Sequence, residues 1–283
     1  MMYLLLRKFF LLCLLLFGWG KLSAQNTSEA ASEFIYKHVD STKLKMKVWN
    51  PPGKQLTKKY PAIIFFFGGG WKQGSIKQFE AQAKYFASKG LVAVTVDYRI
   101  AQLNHTTPFE AVKDARSAIR YLRANSAQLN IDESRIVAAG GSAGGHLAAA
   151  SDLIELDEAT DELKVSARPN AVILYNPVIN NGPGGYGYKL FGDSYKKISP
   201  FHNIMKGAAP TLIMSGTEDK IVPVPIIKSY QDKMIAMGNR CEVHFYNGQG
   251  HGFFRFDPKK DISNYIGTLQ DVEAFLKSLG YII

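Results

Sequence analysis

Six residues, Gly140-Gly141-Ser142-Ala143-Gly144-Gly145, sit between the apolar run Ile136-Val137-Ala138-Ala139 and the alanine-rich stretch His146-Leu147-Ala148-Ala149-Ala150. The first run reads as a short buried strand and the second as a helix. A serine at such a strand-to-helix corner is forced into a strained backbone conformation. Glycines two residues to either side are then required, because side chains there would collide. The strain lifts the hydroxyl above the sheet, where a substrate carbonyl can reach it. The bland alternative is a tight turn with a solvated serine. Gly-x-Ser-x-Gly also arises by chance, so the flanking strand and helix carry the weight, and they point to acyl transfer by a serine nucleophile.

The rest of the chain supplies the scaffold such a corner needs. Residues 62–67 and 91–96 are continuous apolar runs, as strands buried on both faces should be. Residues 44–49 alternate with lysines and read as an early antiparallel edge strand. Further strands are expected at 136–139, 171–175, 211–214 and 243–246, and helices at 77–89, 111–125 and 264–279. This alternation predicts an α/β fold with a mostly parallel central sheet and helices on both faces. Residues 176–200, rich in glycine, proline and tyrosine, read as a loop or small insertion over the top of the sheet.

The N-terminus has a different character. Arg7-Lys8 precede an apolar run over residues 9–17, and Leu22-Ser23-Ala24 offers a small residue for cleavage before Gln25. That layout predicts a signal peptide over 1–24 and export to a secreted or periplasmic location, with an uncleaved anchor as the alternative. Residues 25–43 form an N-terminal segment, and 44–283 the folded domain. Cleavage would leave Cys241 as the only cysteine, so no internal disulfide is expected. The net charge of +10 would lose the three cations Arg7, Lys8 and Lys21 and fall to +7. The remaining lysines are scattered rather than clustered with aromatics. Nucleic-acid binding is therefore poorly supported, and no membrane span is expected after cleavage. Weak attraction to acidic polysaccharides and ordinary solubility charge both fit.

A serine nucleophile needs a base, and the base needs a carboxylate to fix its tautomer. Both should follow the serine at later strand ends. Asp219 lies just past the 211–214 run, and His251 lies in Gly250-His251-Gly252 past the 243–246 run. Glu218 adjoins Asp219 as a competing acid. His146, one helical turn beyond Ser142, reads as a packing or hydrogen-bonding residue beneath the corner. His38, His105, His202 and His244 belong to loops or strand faces, and Asp97 reads as a structural partner of Arg99. The backbone amides of Gly69, Gly70 and Ala143 are candidates for an oxyanion hole, with a merely flexible glycine turn as the alternative. Trp71, Tyr186 and Tyr188 are candidate substrate contacts, although buried packing explains such aromatics equally well. Gly69 to Ser75 has P-loop spacing but lacks the lysine, and residues 182–187 fit a dinucleotide fingerprint in letters with no helix expected to open after them. No metal or cofactor motif is found.

Together these residues resemble the α/β-hydrolases of the esterase/lipase group related to hormone-sensitive lipase, especially its secreted bacterial branch of acetyl-esterase-like and acetylxylan-esterase-like proteins. The resemblance rests on Phe67-Gly68-Gly69-Gly70-Trp71, Val96-Asp97-Tyr98-Arg99, Gly140 to Gly145, Gly216-Thr217-Glu218-Asp219 with Val222-Pro223, and Gly250-His251-Gly252-Phe253. It extends from about residue 45 to the C-terminus. It implies an α/β-hydrolase fold and a Ser142-His251-Asp219 esterase acting on short acyl groups, such as acetyl groups on a polysaccharide. Family members usually carry histidine where Phe67 stands, which puts the geometry of the glycine loop in question. Too few residues precede the first expected strand for the large helical cap of some lipases, which implies an open site. A serine peptidase or amidase on the same scaffold, or a catalytically silent polysaccharide-binding homologue, are the alternative readings.

Overall fold

The computed structural model describes residues 31–283; the expected signal peptide over 1–24 lies outside the described residues. Eight strands form one sheet: β1 (Ser32–Val39), β2 (Thr42–Trp49), β3 (Tyr60–Phe66), β4 (Val92–Val96), β5 (Ile131–Gly141), β6 (Ala171–Tyr175), β7 (Thr211–Gly216) and β8 (Cys241–Tyr246). Their spatial order is β1-β2-β4-β3-β5-β6-β7-β8. β2 runs antiparallel to both of its neighbours, and every pairing from β4 to β8 is parallel. A parallel sheet needs both faces covered, and β3 shows how this is done. Ala62, Ile64 and Phe66 pack on one side with the helices α2 (Pro108–Ala124), α3 (Ala143–Leu153) and α4 (Val224–Ala236). Ile63 and Phe65 face the other way, against α1 (Glu80–Ser88) and α5 (Ser263–Ser278).

Local sequence sets the boundaries of these elements. Thr107 caps α2, Pro108 occupies its first turn, and Glu110 reaches back to the Thr107 amide to complete a capping box. The expected helix over 77–89 begins instead as a 3₁₀ turn, Ile76–Phe79, before α1. Residues 176–210 cross the top of the sheet through short turns, including a single helical turn at Tyr188–Phe191. A helix does therefore open after Gly187, contrary to the sequence reading. At four residues it is too short to resemble the helix of a dinucleotide site. Among the described residues no helix is long and apolar enough to cross a membrane.

Two expectations need correcting. The edge strand is β1, not the 44–49 run, so the sheet takes in part of the 25–43 segment that was placed before the domain. β1 pairs along its length with β2, and its buried Lys37 reaches Asp114 on α2 at 2.7 Å and Glu158 at 3.1 Å. Arg99 joins the same cluster, holding Asp114 with Nε and Nη2, each at 2.7 Å, and Glu158 at 2.7 Å. Its partner is thus Asp114, one helix away, and not Asp97. The Asp97 amide instead continues the β2 ladder by donating to the Lys45 carbonyl.

Candidate active site

β5 stops where its backbone must turn sharply, and Ser142 takes φ 55° and ψ −117°, outside the regions a side chain prefers. The flanking glycines are needed for close approach. A Cβ on Gly140 would overlap the Gly144 carbonyl, and one on Gly144 would overlap the Phe66 carbonyl at the end of β3. The corner is tied down from one side by Ser142 N–H donating to the Tyr175 carbonyl (2.9 Å). From the other side, Val178 N–H donates to the Ser142 carbonyl (3.1 Å). Ser142 remains partly exposed while α3 beyond it is buried along its length.

β7 and β8 are adjacent, and the loops after them are laced together. Glu218 N–H donates to the Gln249 carbonyl at 2.9 Å, Thr217 N–H to the Tyr246 carbonyl at 3.0 Å, and Gly248 N–H to Thr217 Oγ1 at 2.8 Å. This lacing puts Asp219 beneath His251. His251 Nδ1 is 2.8 Å from Asp219 Oδ2, and Nε2 is 2.8 Å from Ser142 Oγ. With its proton on Nδ1 facing the carboxylate, the imidazole presents a bare Nε2 to the serine hydroxyl. Asp219 is 4% exposed, and its Oδ1 accepts the amides of Ile221 (2.8 Å) and Val222 (3.0 Å). Burial alone would raise its pKa. Hydrogen bonds from His251, the Val222 amide and Asn176 outweigh that and hold the carboxyl below the usual range, so it stays ionised. Glu218, the competing acid, is exposed and touches neither partner of the relay with its side chain.

The glycine loop after β3 lies against this corner, since a Cβ on Gly68 would come within 3.2 Å of Ser142 Cβ. Gly69 (φ 142°) and Gly70 (φ 65°) turn in conformations that side chains resist. The Gly68 amide is consumed by Gln78 Oε1 at 2.6 Å. Those of Gly69 and Gly70 have no partner among the described residues, and neither does that of Ala143 at the N-terminus of α3, where the helix dipole favours negative charge. Phe67, in place of the usual histidine, braces the loop by other means. Its ring stacks on Tyr98 at 4.1 Å, and the Tyr98 hydroxyl donates to the Phe67 carbonyl at 2.7 Å.

The three aromatic candidates part company. Trp71 is 2% exposed and packs edge-on against His146 and Phe191, so it is a core residue and not a sugar platform. Tyr188 is half-buried against Tyr195. Tyr186 is exposed, and its hydroxyl lies 2.9 Å from where a Gly70 Cβ would be, so of the three it is the exposed ring at the glycine loop. It also packs beside Val178, Ile179, Val222 and Ile226. His146 lies under the corner with Nε2 2.8 Å from the Ile198 carbonyl, and burial lowers its pKa to about 4. One residue at the site gave no sequence signal. Asn176, immediately after β6, is fully buried and donates from Nδ2 to Asp219 Oδ2 at 2.9 Å.

Solved structures of Thermogutta terrifontis esterase 2 superpose on 90% of this chain and 97% of theirs, at 38% identity and a TM-score of 0.86 for the form phosphoramylated by tabun. The chain belongs to the α/β-hydrolase esterases related to hormone-sensitive lipase. The BD-FAE family model matches residues 46–180 of this esterase-family chain. Among curated relatives, Esterase LipC of Mycobacterium tuberculosis is 30% identical over 71% of the chain. The acetylxylan esterase of Xylanibacter ruminicola is 28% identical over 93%. The chain spans about half the length of these curated relatives, 55% of each.

Proposed function

We propose that this hydrolase cleaves short-chain carboxylic esters, with acetyl groups on an exported-side polysaccharide or oligosaccharide as its natural substrate class. The continuous relay from Ser142 through His251 to Asp219, both steps at 2.8 Å, carries the reading. In the mechanism, His251 Nε2 removes the Ser142 proton as Oγ attacks the ester carbonyl carbon. The carbonyl electron pair moves onto oxygen, which is held by the Gly69, Gly70 and Ala143 amides. Collapse of the tetrahedral species expels the alcohol, protonated by His251, and leaves an acyl group on Ser142. Water, deprotonated by the same imidazole, then releases the acid.

The side chains of Tyr186, Val178, Ile179, Val222 and Ile226 close together beside the glycine loop, which supports a short acyl group. Propionate-bound and butyrate-bound structures of Thermogutta terrifontis esterase 2 support the preference for short chains. The acetylxylan esterase relative and the signal-like residues 1–24 support a polymeric glycan outside the cytoplasm. The test is hydrolysis of p-nitrophenyl acetate by the wild type and by Ser142→Ala, followed by acetate against octanoate and by acetylated xylan. Loss of turnover in a folded Ser142→Ala protein is the expected result. Retained turnover would overturn the mechanism, and a preference for octanoate would overturn the substrate class.

A further inference from the structure

We propose that Asn176 is a positioning residue that fixes the acid of the relay relative to the nucleophile. The inference rests on the esterase reading above. Its basis is the four-residue stretch Tyr175 to Val178, which grips both ends of the relay. Tyr175 and Val178 hold the Ser142 backbone from either side, through the bonds of 2.9 and 3.1 Å described above. Between them, the Asn176 amide N–H donates to the Met214 carbonyl on β7, and its side chain donates to Asp219 Oδ2. That oxygen is the one facing His251 Nδ1, so one carboxylate oxygen serves both donors.

The features of Asn176 fit a residue that holds this carboxylate. Its φ of 44° lies in the left-handed region, which asparagine tolerates better than most side chains. Its Oδ1 is buried with no hydrogen-bond partner among the described residues. An ionised carboxylate only accepts, so the amide must turn Nδ2 toward Asp219 and strand Oδ1. A stranded carbonyl is a standing cost, offset by a bond to a charged acceptor, which is the stronger kind. Aspartate would put a second acceptor there, and serine would fall short of the carboxylate.

The charged surroundings are few. Asp219 is faced by His251 from the loop after β8, and by Asn176 and two backbone amides, while Glu218 and Lys220 turn to solvent. His251 touches Asp219 and Ser142, and shares a recess with Arg255, Asp257, Lys260 and Asp261. None of these last four contacts Asn176. Removing the Asn176 donor therefore concentrates negative charge on the oxygen facing His251 and tightens its hold on the imidazolium proton.

The experiment uses Asn176→Gly, which removes the amide while tolerating the positive φ, with p-nitrophenyl acetate as substrate. The expected result is a fall in kcat of about tenfold, in line with losing one hydrogen bond to a charged group, with KM little changed. The acid limb of the kcat/KM profile should also move to higher pH. In an Asp219→Asn background the same change should cost almost nothing more, because its effect passes through that carboxylate. Should the glycine variant fold poorly, Asn176→Asp keeps the volume and is expected to lose more activity and shift the limb further. An unmoved acid limb, or equal losses with and without Asp219, overturns the assignment. A wild type inert toward p-nitrophenyl acetate instead removes the esterase reading, and the inference with it.

Discussion

The backbone strain at Ser142 makes a prediction about stability that is separable from catalysis. Comparing Ser142→Gly with Ser142→Ala removes the hydroxyl, and hence the bond to His251, from both proteins. The remaining difference is a Cβ held at φ 55°, ψ −117°. Holding a non-glycine residue in so sparsely populated a region costs on the order of 1–3 kcal/mol. Glycine escapes that cost but adds about 0.4–1 kcal/mol of unfolded-state entropy. The balance leaves the glycine variant ahead by about 1 kcal/mol. For a domain of this size that is roughly 2–4 °C in Tm. The assay is urea unfolding followed by fluorescence, with thermal melts in parallel, and both variants should be inactive. A glycine variant no more stable than the alanine variant would show that the corner stores no strain at Ser142, leaving the flanking glycines explained by close approach alone.

Other outcomes follow from the same geometry. Asp219→Asn should lower kcat by about 10²–10⁴ through loss of the correct imidazole tautomer, whereas Glu218→Gln should leave it unchanged; steady-state kinetics on p-nitrophenyl acetate decides. His146, buried and neutral with a pKa near 4, binds its proton less readily folded than unfolded. Its contribution to stability is therefore complete above pH 6.5 and is lost as pH falls toward 4. Urea unfolding at pH 7 and pH 5 should show a loss of about 2 kcal/mol from this group, and His146→Gln should flatten that slope. Tyr186→Ala should open space beside the glycine loop and raise hexanoate turnover relative to acetate, measured across a p-nitrophenyl ester series; an unchanged ratio would remove Tyr186 from acyl selection.

The sequence was most legible where backbone geometry restricts residue choice. Ser142 could be placed because only glycine fits at 140 and 144, and Asp219 and His251 because parallel strands are unbroken apolar runs with visible ends. Burial of individual side chains was less accessible. Trp71 follows a glycine loop in the sequence, which says nothing of whether its ring turns outward or, as found, into the core beside His146. β1 escaped notice because Ser32–Val39 mixes charges with apolar residues, and Lys37 is buried only by virtue of carboxylates far along the chain. Arg99 was paired with the nearest acid in sequence, while Asp114 reached it through the packing of α2. Asn176 carried no signal, since an isolated asparagine after a strand is an ordinary turn residue until its neighbour in space is known.

The ion cluster around Lys37 has a consequence for how the chain is made. Its two carboxylates lie 77 and 121 residues downstream. On a ribosome the lysine emerges long before either, so β1 can pair with β2 at once while its ammonium waits for the polypeptide to be extended past Glu158. This hairpin is thus an early element whose buried ion pairs are completed late. Until then the Lys37 ammonium lacks its buried partners, at the stage when a chaperone would meet the chain.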